Sequence, residues 1–225
     1  YPVAKAGGLA DVVGALPKYQ QQLGHVAKVV MPMHRMPFLY NNEWEVVHKG
    51  WFRMGNYLSY DFTIIKEKTN KLGFDLYCVD INGLLDREKI YGYTDDTERF
   101  VAFQIAVLEW ITSWEHQPDI LHVHDHHAAL IPFMIHHCYS YRKISHLKTV
   151  LTIHNMAYQG WFDKNELHQT GLGWEVFHAR SLEAYDRINL LKGGDAKKTI
   201  NPLIAKRCHL LINGLFVDHN IRHFF

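Results

Sequence analysis

Apolar residues follow two different periods along this chain, one typical of helices and one typical of short buried strands. The first helix is predicted near the start, where apolar side chains recur every three or four positions and Gly24 offers a stop; these residues are Leu9, Val12, Val13, Leu16 and Leu23. A longer helix is predicted from Asp95 and ends before Pro118. Its repeating core residues are Phe100, Phe103, Val107, Trp110 and Trp114.

Short apolar runs alternate with these helices. Runs at residues 25–31, 120–123 and 149–153 predict buried strands, and a further helix is expected over residues 128–137. Strands that are separated by helices are typical of parallel βαβ units. The pattern therefore predicts the α/β class, with a doubly wound parallel sheet.

One segment departs from this alternation. Residues 44–47, 57–65 and 74–79 are three strand-like runs, separated by turn signals at Gly55-Asn56 and over residues 70–73. We interpret them as a β-hairpin excursion from the parallel sheet.

Candidate chemistry begins at Lys5, which precedes the Gly7-Gly8 pair and the first helix. Glycines at a helix start leave backbone N–H groups open to an anion, and a lysine adds positive charge. The motif suits a phosphate or pyrophosphate. A tight turn with a surface lysine is the alternative.

Polar residues also follow two of the predicted strands. His124-Asp125-His126-His127 and His154-Asn155 come after them, and ligands of open parallel sheets bind beyond the carboxyl ends of strands. If a strand precedes Tyr1, the Lys5 loop would reach the same edge. Alternatives are that Asp125 caps the next helix and that His154 is an ordinary histidine at a strand end.

Composition narrows the classes of function. With 48% hydrophobic residues among 225, the chain can bury a sizeable core, and its net charge of +1 gives no support for binding nucleic acid or a membrane surface. Three widely spaced cysteines indicate reduced thiols in a cytosol-like compartment. No signal peptide or membrane-length apolar run is visible, although Tyr1 is not a native start, which leaves a removed targeting segment open.

The 17 histidines invite a metal hypothesis, since His122 and His124 alternate on one strand and could share a face. Adjacent His126-His127 does not match a standard ligand spacing. We therefore expect no metal, and expect Asp125 and its neighbours to hydrogen-bond a sugar or to orient loops.

Several blocks resemble one family. Lys5-Ala6-Gly7-Gly8-Leu9-Ala10-Asp11 resembles the Lys-x-Gly-Gly-Leu signature of bacterial glycogen synthases and plant starch synthases. Similar blocks follow in family order at residues 91–100, 122–130, 151–160 and 188–194, and more loosely at 212–214. Together they span most of the chain.

The resemblance implies a fold and a reaction. The fold would be the Rossmann-like N-terminal domain of a two-domain GT-B glycosyltransferase. The reaction would be transfer of glucose from ADP-glucose to the non-reducing end of an α-1,4-glucan, with retention and without a cofactor or metal. The family's motifs map the donor diphosphate onto Lys5, Gly7 and Gly8. His154 and Asn155 map beside the donor sugar, and Asp125 maps near the donor sugar or the acceptor. Asp11 and Tyr93 are weaker candidates for the same cleft.

The resemblance also defines expected domains and departures. Residues 1–214 would be the N-terminal catalytic domain and residues 215–225 the start of an inter-domain linker. The family's first strand, a segment after Gly194 and the second domain are missing from this sequence, so the chain alone is expected to be inactive. In the parent enzyme the C-terminal GT-B domain would be its partner. The expected location is cytoplasmic, or a plastid for a plant protein.

Two other functions stay open on the sequence. One is a nucleotide-sugar glycosyltransferase with a different donor or acceptor. The other is a non-catalytic glucan-binding module. The segment Lys192-Gly193-Gly194 is open as well, as a second loop at the cleft or as a helix stop with a cationic last turn.

Overall fold

A computed structural model describes residues 3–55, 57–170 and 172–195 of the chain. The chain divides into two compact units, Tyr1–Ser113 and Trp114–Phe225, and each is described by itself. Three predicted features lie outside the described residues. They are the departure after Gly194, the block at residues 212–214 and the linker at residues 215–225.

The first unit is built on a four-stranded sheet in the order β1-β4-β3-β2. Strands β1 and β4 are parallel, whereas β4–β3 and β3–β2 are antiparallel. Its elements are α1 (Gly8–Gln22), β1 (Lys28–Pro32), α2 (Pro37–Tyr40), β2 (Trp44–Met54), β3 (Leu58–Glu67), β4 (Asp75–Asp80) and α3 (Asp96–Thr112).

Helix α1 forms as its apolar spacing predicts, and it starts directly at the glycine pair. Gly24, two residues beyond the end of the helix at Gln22, has a φ of 85°, which favours glycine and turns the chain toward β1. Pro17 lies inside the helix and is buried. Strand β1 starts at Lys28, later than the predicted residue 25.

The predicted excursion is a long β2–β3 hairpin that extends the sheet, since β3 also pairs with β4. At Gly50 on β2, an added Cβ would lie 2.7 Å from the ring of Phe62 on β3. The aromatic ring of Phe62 therefore fills the space above Gly50. Strand β2 is also longer than predicted, since it extends to Met54 rather than ending at residue 47.

Helix α3 carries much of the apolar core of this unit. Phe100, Phe103 and Trp110 are buried as predicted, whereas Trp114 follows the helix and is half-buried. Arg99 is also fully buried on α3, and its guanidinium donates to the carbonyl of Leu84 at 2.9 Å. An ion pair of 2.5 Å from Nη1 to Asp96 Oδ1 compensates the buried charge, whereas Nη2 has no hydrogen-bond partner among the described residues.

The second unit contains a parallel pair, β5–β6, and a three-stranded antiparallel sheet in the order β7-β9-β8. Its elements are β5 (Ile120–His124), α4 (Leu130–His137), β6 (Lys148–Thr152), β7 (Trp161–Asp163), β8 (Glu183–Ala184), β9 (Arg187–Asn189) and α5 (Leu190–Asp195), with 3₁₀ helices at Tyr139–Ile144, Lys164–Thr170 and Trp174–Val176. The small antiparallel sheet was not predicted.

The Lys192-Gly193-Gly194 segment lies inside α5, which excludes the loop alternative, and Lys192 lies in the last turn of this helix, as the alternative of a cationic last turn expects. Gly194 lets α5 approach the start of α4 closely. A Cβ on Gly194 would lie 2.8 Å from the carbonyl oxygen of Ala129, the residue that precedes α4. Lys192 donates from its Nζ to the carbonyl of Glu183 and so ties α5 to β8.

The predicted α/β class is confirmed, with parallel pairs in both units and the antiparallel hairpin in the first. Among the described residues, no helix is both long enough and apolar enough to cross a membrane.

Candidate functional site

Asp125 and His154 lie at the carboxyl ends of β5 and β6 and are joined by a hydrogen bond. The backbone N–H of His154 donates to Asp125 Oδ1 at 2.7 Å, and the N–H of Asp125 donates to the carbonyl of Thr152 at 2.9 Å. Asp125 has a φ of 56°, a left-handed conformation that aspartate and asparagine tolerate better than most residues. The predicted pair is therefore brought together.

The alternative role for Asp125, as a cap of the next helix, is not found. Helix α4 begins at Leu130, and Ala129 occupies its N-cap position without a side-chain hydrogen bond. The carboxylate is directed to the neighbouring strand end instead. This hydrogen bond joins the loop after β6 to the loop after β5.

The rings of His122, His124 and His154 stack next to this hydrogen bond. The ring centroids of His122 and His124 are 4.3 Å apart, and those of His124 and His154 are 5.2 Å apart. His124 Nδ1 and His154 Nε2 form a hydrogen bond of 3.0 Å, and His122 Nε2 bonds to Thr152 Oγ1 at 2.7 Å. The shared face predicted for His122 and His124 is therefore confirmed by their stacked rings.

Burial keeps part of this stack uncharged. Desolvation, together with repulsion from His122 and His154, lowers the pKa of His124 to about 3. Desolvation and His154 also lower the pKa of His122. A neutral His124 either donates from Nδ1 to His154 Nε2 or accepts a proton from it across the 3.0 Å bond, so the tautomer of His124 decides which of the two nitrogens donates.

These rings do not form a metal centre. In the described part of the chain, no group of three or more histidine, cysteine, aspartate or glutamate side chains is arranged to hold a metal ion. His124 Nδ1 and His154 Nε2 are bonded to each other, and His122 Nε2 is bonded to a threonine hydroxyl. These nitrogens orient side chains within the site.

The loop that follows His154 packs on the loop that follows β5. Asn155 Oδ1 accepts the N–H of Ala157 at 2.9 Å, which shapes a local turn, and His126 Nδ1 lies 3.1 Å from the carbonyl oxygen of Tyr158. Gly160 has a φ of 68°, and a Cβ there would lie 3.0 Å from His126. Both the left-handed conformation and the tight space beside His126 favour glycine at this position.

Lys5, Gly7, Gly8 and Asp11 lie together in the first unit, at the start of α1. Lys5 Nζ bonds to both carboxylate oxygens of Asp11, at 2.8 and 2.9 Å, and both side chains are about half exposed. An added Cβ on Gly7 or Gly8 would meet nothing within 4 Å. The space beside the α-carbons of both glycines is therefore open, and an anion that approaches the helix start from that side meets no side chain of the described residues.

Tyr93, also in the first unit, has two arginines against its ring. The guanidinium carbons of Arg99 and Arg87 lie 4.7 and 5.3 Å from the ring centroid. The Tyr93 hydroxyl accepts the backbone N–H of Lys89 at 3.0 Å. Tyr93 lines a cleft of about 370 Å³ whose other residues are Arg35, Gly83, Asp86, Arg87 and Glu88. Charged side chains therefore dominate the surroundings of this tyrosine.

The sequence did not identify the partners that hold His154. His124 and His126 were noted in the polar run after β5, and His124 also as a metal candidate, but neither as a contact of the His154 segment, and Thr152 was given no role. The signal that could have found them is the alternation His122–His124 on a strand, because it directs two rings toward the neighbouring parallel strand. That the Lys5 loop meets the Asp125–His154 loops stays a prediction.

Known proteins resemble the chain in sequence. The family profile described as starch synthase catalytic domain matches residues 1–197. A glycogen synthase of Flavobacterium johnsoniae is 44% identical over 219 residues, covering 96% of the chain and 46% of that protein. A glycogen synthase of Bacillus cereus is 36% identical and covers 86% of the chain and 40% of its own length.

The fold also has a solved relative. The catalytic domain of starch synthase IV from Arabidopsis thaliana, bound to ADP and acarbose, matches with a TM-score of 0.76 and 27% identity. The match covers 86% of the chain and 40% of that structure. The chain thus spans less than half the length of the relatives it matches, and the Rossmann-like GT-B fold class predicted for it is confirmed. With its profile match, its relatives and its fold in agreement, the chain belongs to the starch synthase catalytic domain family.

Proposed function

We propose that the protein to which this chain belongs transfers glucose from ADP-glucose to the non-reducing end of an α-1,4-glucan, with retention of configuration. The observation that carries this proposal is the hydrogen bond from His154 N–H to Asp125, in a chain of this family. It holds polar groups at the strand ends, where ligands of parallel sheets bind. The starch synthase that resembles this chain is bound to ADP and acarbose, which supports a nucleotide donor and a sugar acceptor.

In this proposal Lys5, Gly7 and Gly8 bind the donor diphosphate. Negative charge grows on the phosphate oxygen as the bond to the glucose anomeric carbon breaks. Backbone N–H groups and a lysine that are already in position stabilise that charge as it develops. The open space above both glycines supports such an approach. Asp11 would reduce the positive charge that Lys5 presents to the diphosphate, through the ion pair between the two side chains.

His154, Asp125 and Asn155 are proposed to lie beside the donor glucose. The departing glucosyl group gains positive, oxocarbenium-like character, which neutral hydrogen-bonding groups tolerate better than a nearby cation. The neutral ring of His124 next to His154 supports this requirement. Tyr93 is proposed as a further substrate-binding residue, and the charged cleft that it lines supports a polar ligand.

The proposal extends to the surroundings of the chain. Residues 1–214 would form the N-terminal catalytic domain and residues 215–225 the start of a linker to a C-terminal GT-B domain that completes the donor site. Without the C-terminal domain to cover the site, water is not excluded from the reacting groups. We therefore propose that the chain alone is inactive. On the family resemblance, we also propose that no metal or cofactor takes part in the reaction and that the enzyme works in the cytoplasm or a plastid.

A donor screen on the full-length protein tests the reaction. ADP-glucose, UDP-glucose and GDP-mannose are offered with maltoheptaose as acceptor, and we expect transfer from ADP-glucose with the largest kcat/KM. Preference for another donor would favour the alternative of a different glycosyltransferase. Binding of maltoheptaose without transfer from any donor would favour a non-catalytic glucan-binding module.

A further inference from the structure

The turn between β8 and β9 holds a tyrosine in an unfavourable backbone conformation. Tyr185 and Asp186 form this two-residue turn, with φ angles of 53° and 60°. Turns with two left-handed residues strongly prefer Asn-Gly or Asp-Gly, and a bulky aromatic residue there is an outlier. Such outliers persist only where surrounding contacts hold them.

Those contacts are present on both sides of the turn. The N–H of Asp186 donates to Glu183 Oε1 at 2.9 Å, and Lys164 Nζ pairs with Asp186 Oδ2 at 2.5 Å. They fix the hairpin end from β8 and from the 3₁₀ helix that follows β7. The Tyr185 side chain nevertheless remains 81% exposed, so burial of its ring does not explain the conformation.

The exposed ring has an aromatic neighbour. The ring centroids of Tyr185 and Trp161 lie 6.0 Å apart, with their planes inclined at 48°. Trp161 begins β7 and pairs with Asn189 of β9, and its carbonyl accepts a bond of 3.4 Å from Arg187 Nη2. Two rings are thereby held side by side at the edge of a small, well-bonded sheet.

We propose that Trp161 and Tyr185 form a binding platform for an α-glucan chain, apart from the residues assigned to the donor. This proposal rests on the proposed function, which makes a glucan the polymer that the protein handles. Sugar rings present flat C–H faces that pack on aromatic rings, while their hydroxyls bond to polar groups at the rim. Lys164, Asp186 and Arg187 supply such groups around the two rings.

Size argues for a narrow ligand. Two aromatic side chains bury at most ~150–250 Å² each, whereas a stable protein interface needs about 800 Å² per partner. A single polysaccharide strand fits the smaller area. Because the turn is held by hydrogen bonds before the ligand arrives, little conformational freedom is lost on binding.

The variant Tyr185→Asn separates binding from folding. Asparagine tolerates the left-handed conformation, so the melting temperature should stay the same or rise. In the full-length protein, we expect the Kd for maltoheptaose and for glycogen to increase by roughly 2- to 10-fold, the loss expected for one aromatic contact. The Kd for ADP should not change.

A matched control is Tyr139→Ala. Tyr139 is 75% exposed in the same unit and lies under Arg142, at 4.3 Å from its ring centroid. The glucan Kd of this variant should equal that of the wild type. The Trp161→Phe variant, which keeps an aromatic face, should lose less affinity than Tyr185→Asn.

The outcomes are distinct. A glucan Kd within twofold of wild type in Tyr185→Asn would overturn the platform and leave the proposed transfer reaction standing. Loss of self-association in that variant, with an unchanged glucan Kd, would identify a protein contact and also overturn it. Failure of the wild type to use ADP-glucose would overturn the proposed function, while the Tyr185→Asn comparison would still decide glucan binding.

Discussion

The backbone N–H of His154 donates to the carboxylate of Asp125 at 2.7 Å, across the ends of two parallel strands. The two residues are 29 positions apart in the sequence. This bond, with the ring contact between His154 and His124, fixes both the backbone and the side chain of the histidine. A residue proposed to lie beside a reacting sugar is thus held before any ligand binds.

Two variants of Asp125 distinguish the contribution of its negative charge to stability from that of its hydrogen bond. Asp125→Asn keeps an oxygen acceptor and a side chain suited to a φ of 56°, whereas Asp125→Ala loses both. We expect the alanine variant to lose about 1–3 kcal/mol of unfolding free energy and the asparagine variant less. Urea unfolding of both variants measures this. Equal losses would show that the hydrogen bond is not what holds the loop.

The Lys5–Asp11 pair predicts two opposite effects on donor binding in the full-length protein. Lys5→Ala should raise the KM for ADP-glucose, because the diphosphate loses a positive charge. Asp11→Asn should lower the Kd for ADP by roughly 2- to 5-fold, since a carboxylate that competes for Lys5 is neutralised. The second effect should shrink as salt is added. An unchanged KM in Lys5→Ala would exclude the phosphate role.

Gly8→Ala should make the helix more stable but weaken donor binding. Alanine in the middle of a helix is favoured over glycine by roughly 0.5–1 kcal/mol. Gly8 is the first residue of α1, so the gain there is smaller, and the added Cβ meets nothing within 4 Å. If the diphosphate approaches this backbone, the same Cβ obstructs it and the Kd for ADP rises. Adding Ala15→Gly on the exposed side of the same helix offsets the gain in stability. Wild-type ADP affinity in the double variant would contradict the close approach.

Stability should fall as the pH drops below about 6.5. The folded state lowers the pKa of His124 to about 3 and that of His34 to about 4, both chiefly by burial. Between these values and the ordinary pKa of 6.5, the unfolded chain binds protons that the folded chain does not. Each histidine can therefore cost up to ~1.4 kcal/mol per pH unit in this window.

The variant His124→Asn tests this assignment. Asparagine can replace the hydrogen bond made by Nδ1 but does not titrate in this range. Urea unfolding between pH 7.5 and 4.5 should show a shallower slope than in the wild type. A slope equal to that of the wild type would show that His124 is protonated when folded.

Gly193 and Gly194 provide a paired test of how α5 packs. A Cβ on Gly194 meets the backbone oxygen of Ala129 at 2.8 Å, whereas one on Gly193 meets a terminal methyl of Leu182 at 2.3 Å. A side-chain methyl can rotate away, but a backbone oxygen at the start of a helix cannot. We expect Gly194→Ala to lose about 1–3 kcal/mol and Gly193→Ala to lose less, by thermal unfolding. The reverse order would contradict this packing.

Several elements follow from local pattern. The spacing of Leu9 to Leu23 predicted α1, and the apolar runs before Asp125 and His154 predicted β5 and β6 within a residue or two. Local spacing failed where chain neighbours do not decide the structure. The sheet of β7, β8 and β9 uses strands of two or three residues, which are too short to show a period.

The sequence by itself determined the order of α1, α3 and α4 and of the strands β1 to β6, the α/β class and the motifs that identify the family, because these depend on residues close together in the chain. Only the tertiary structure decided what Asp125 bonds to, which ring holds His154 and why Gly194 is glycine. Each of these contacts joins segments about 30 or more residues apart. They depend on the pairing of β5 with β6 and on the closeness of α5 to α4, which local hydrophobic spacing does not specify.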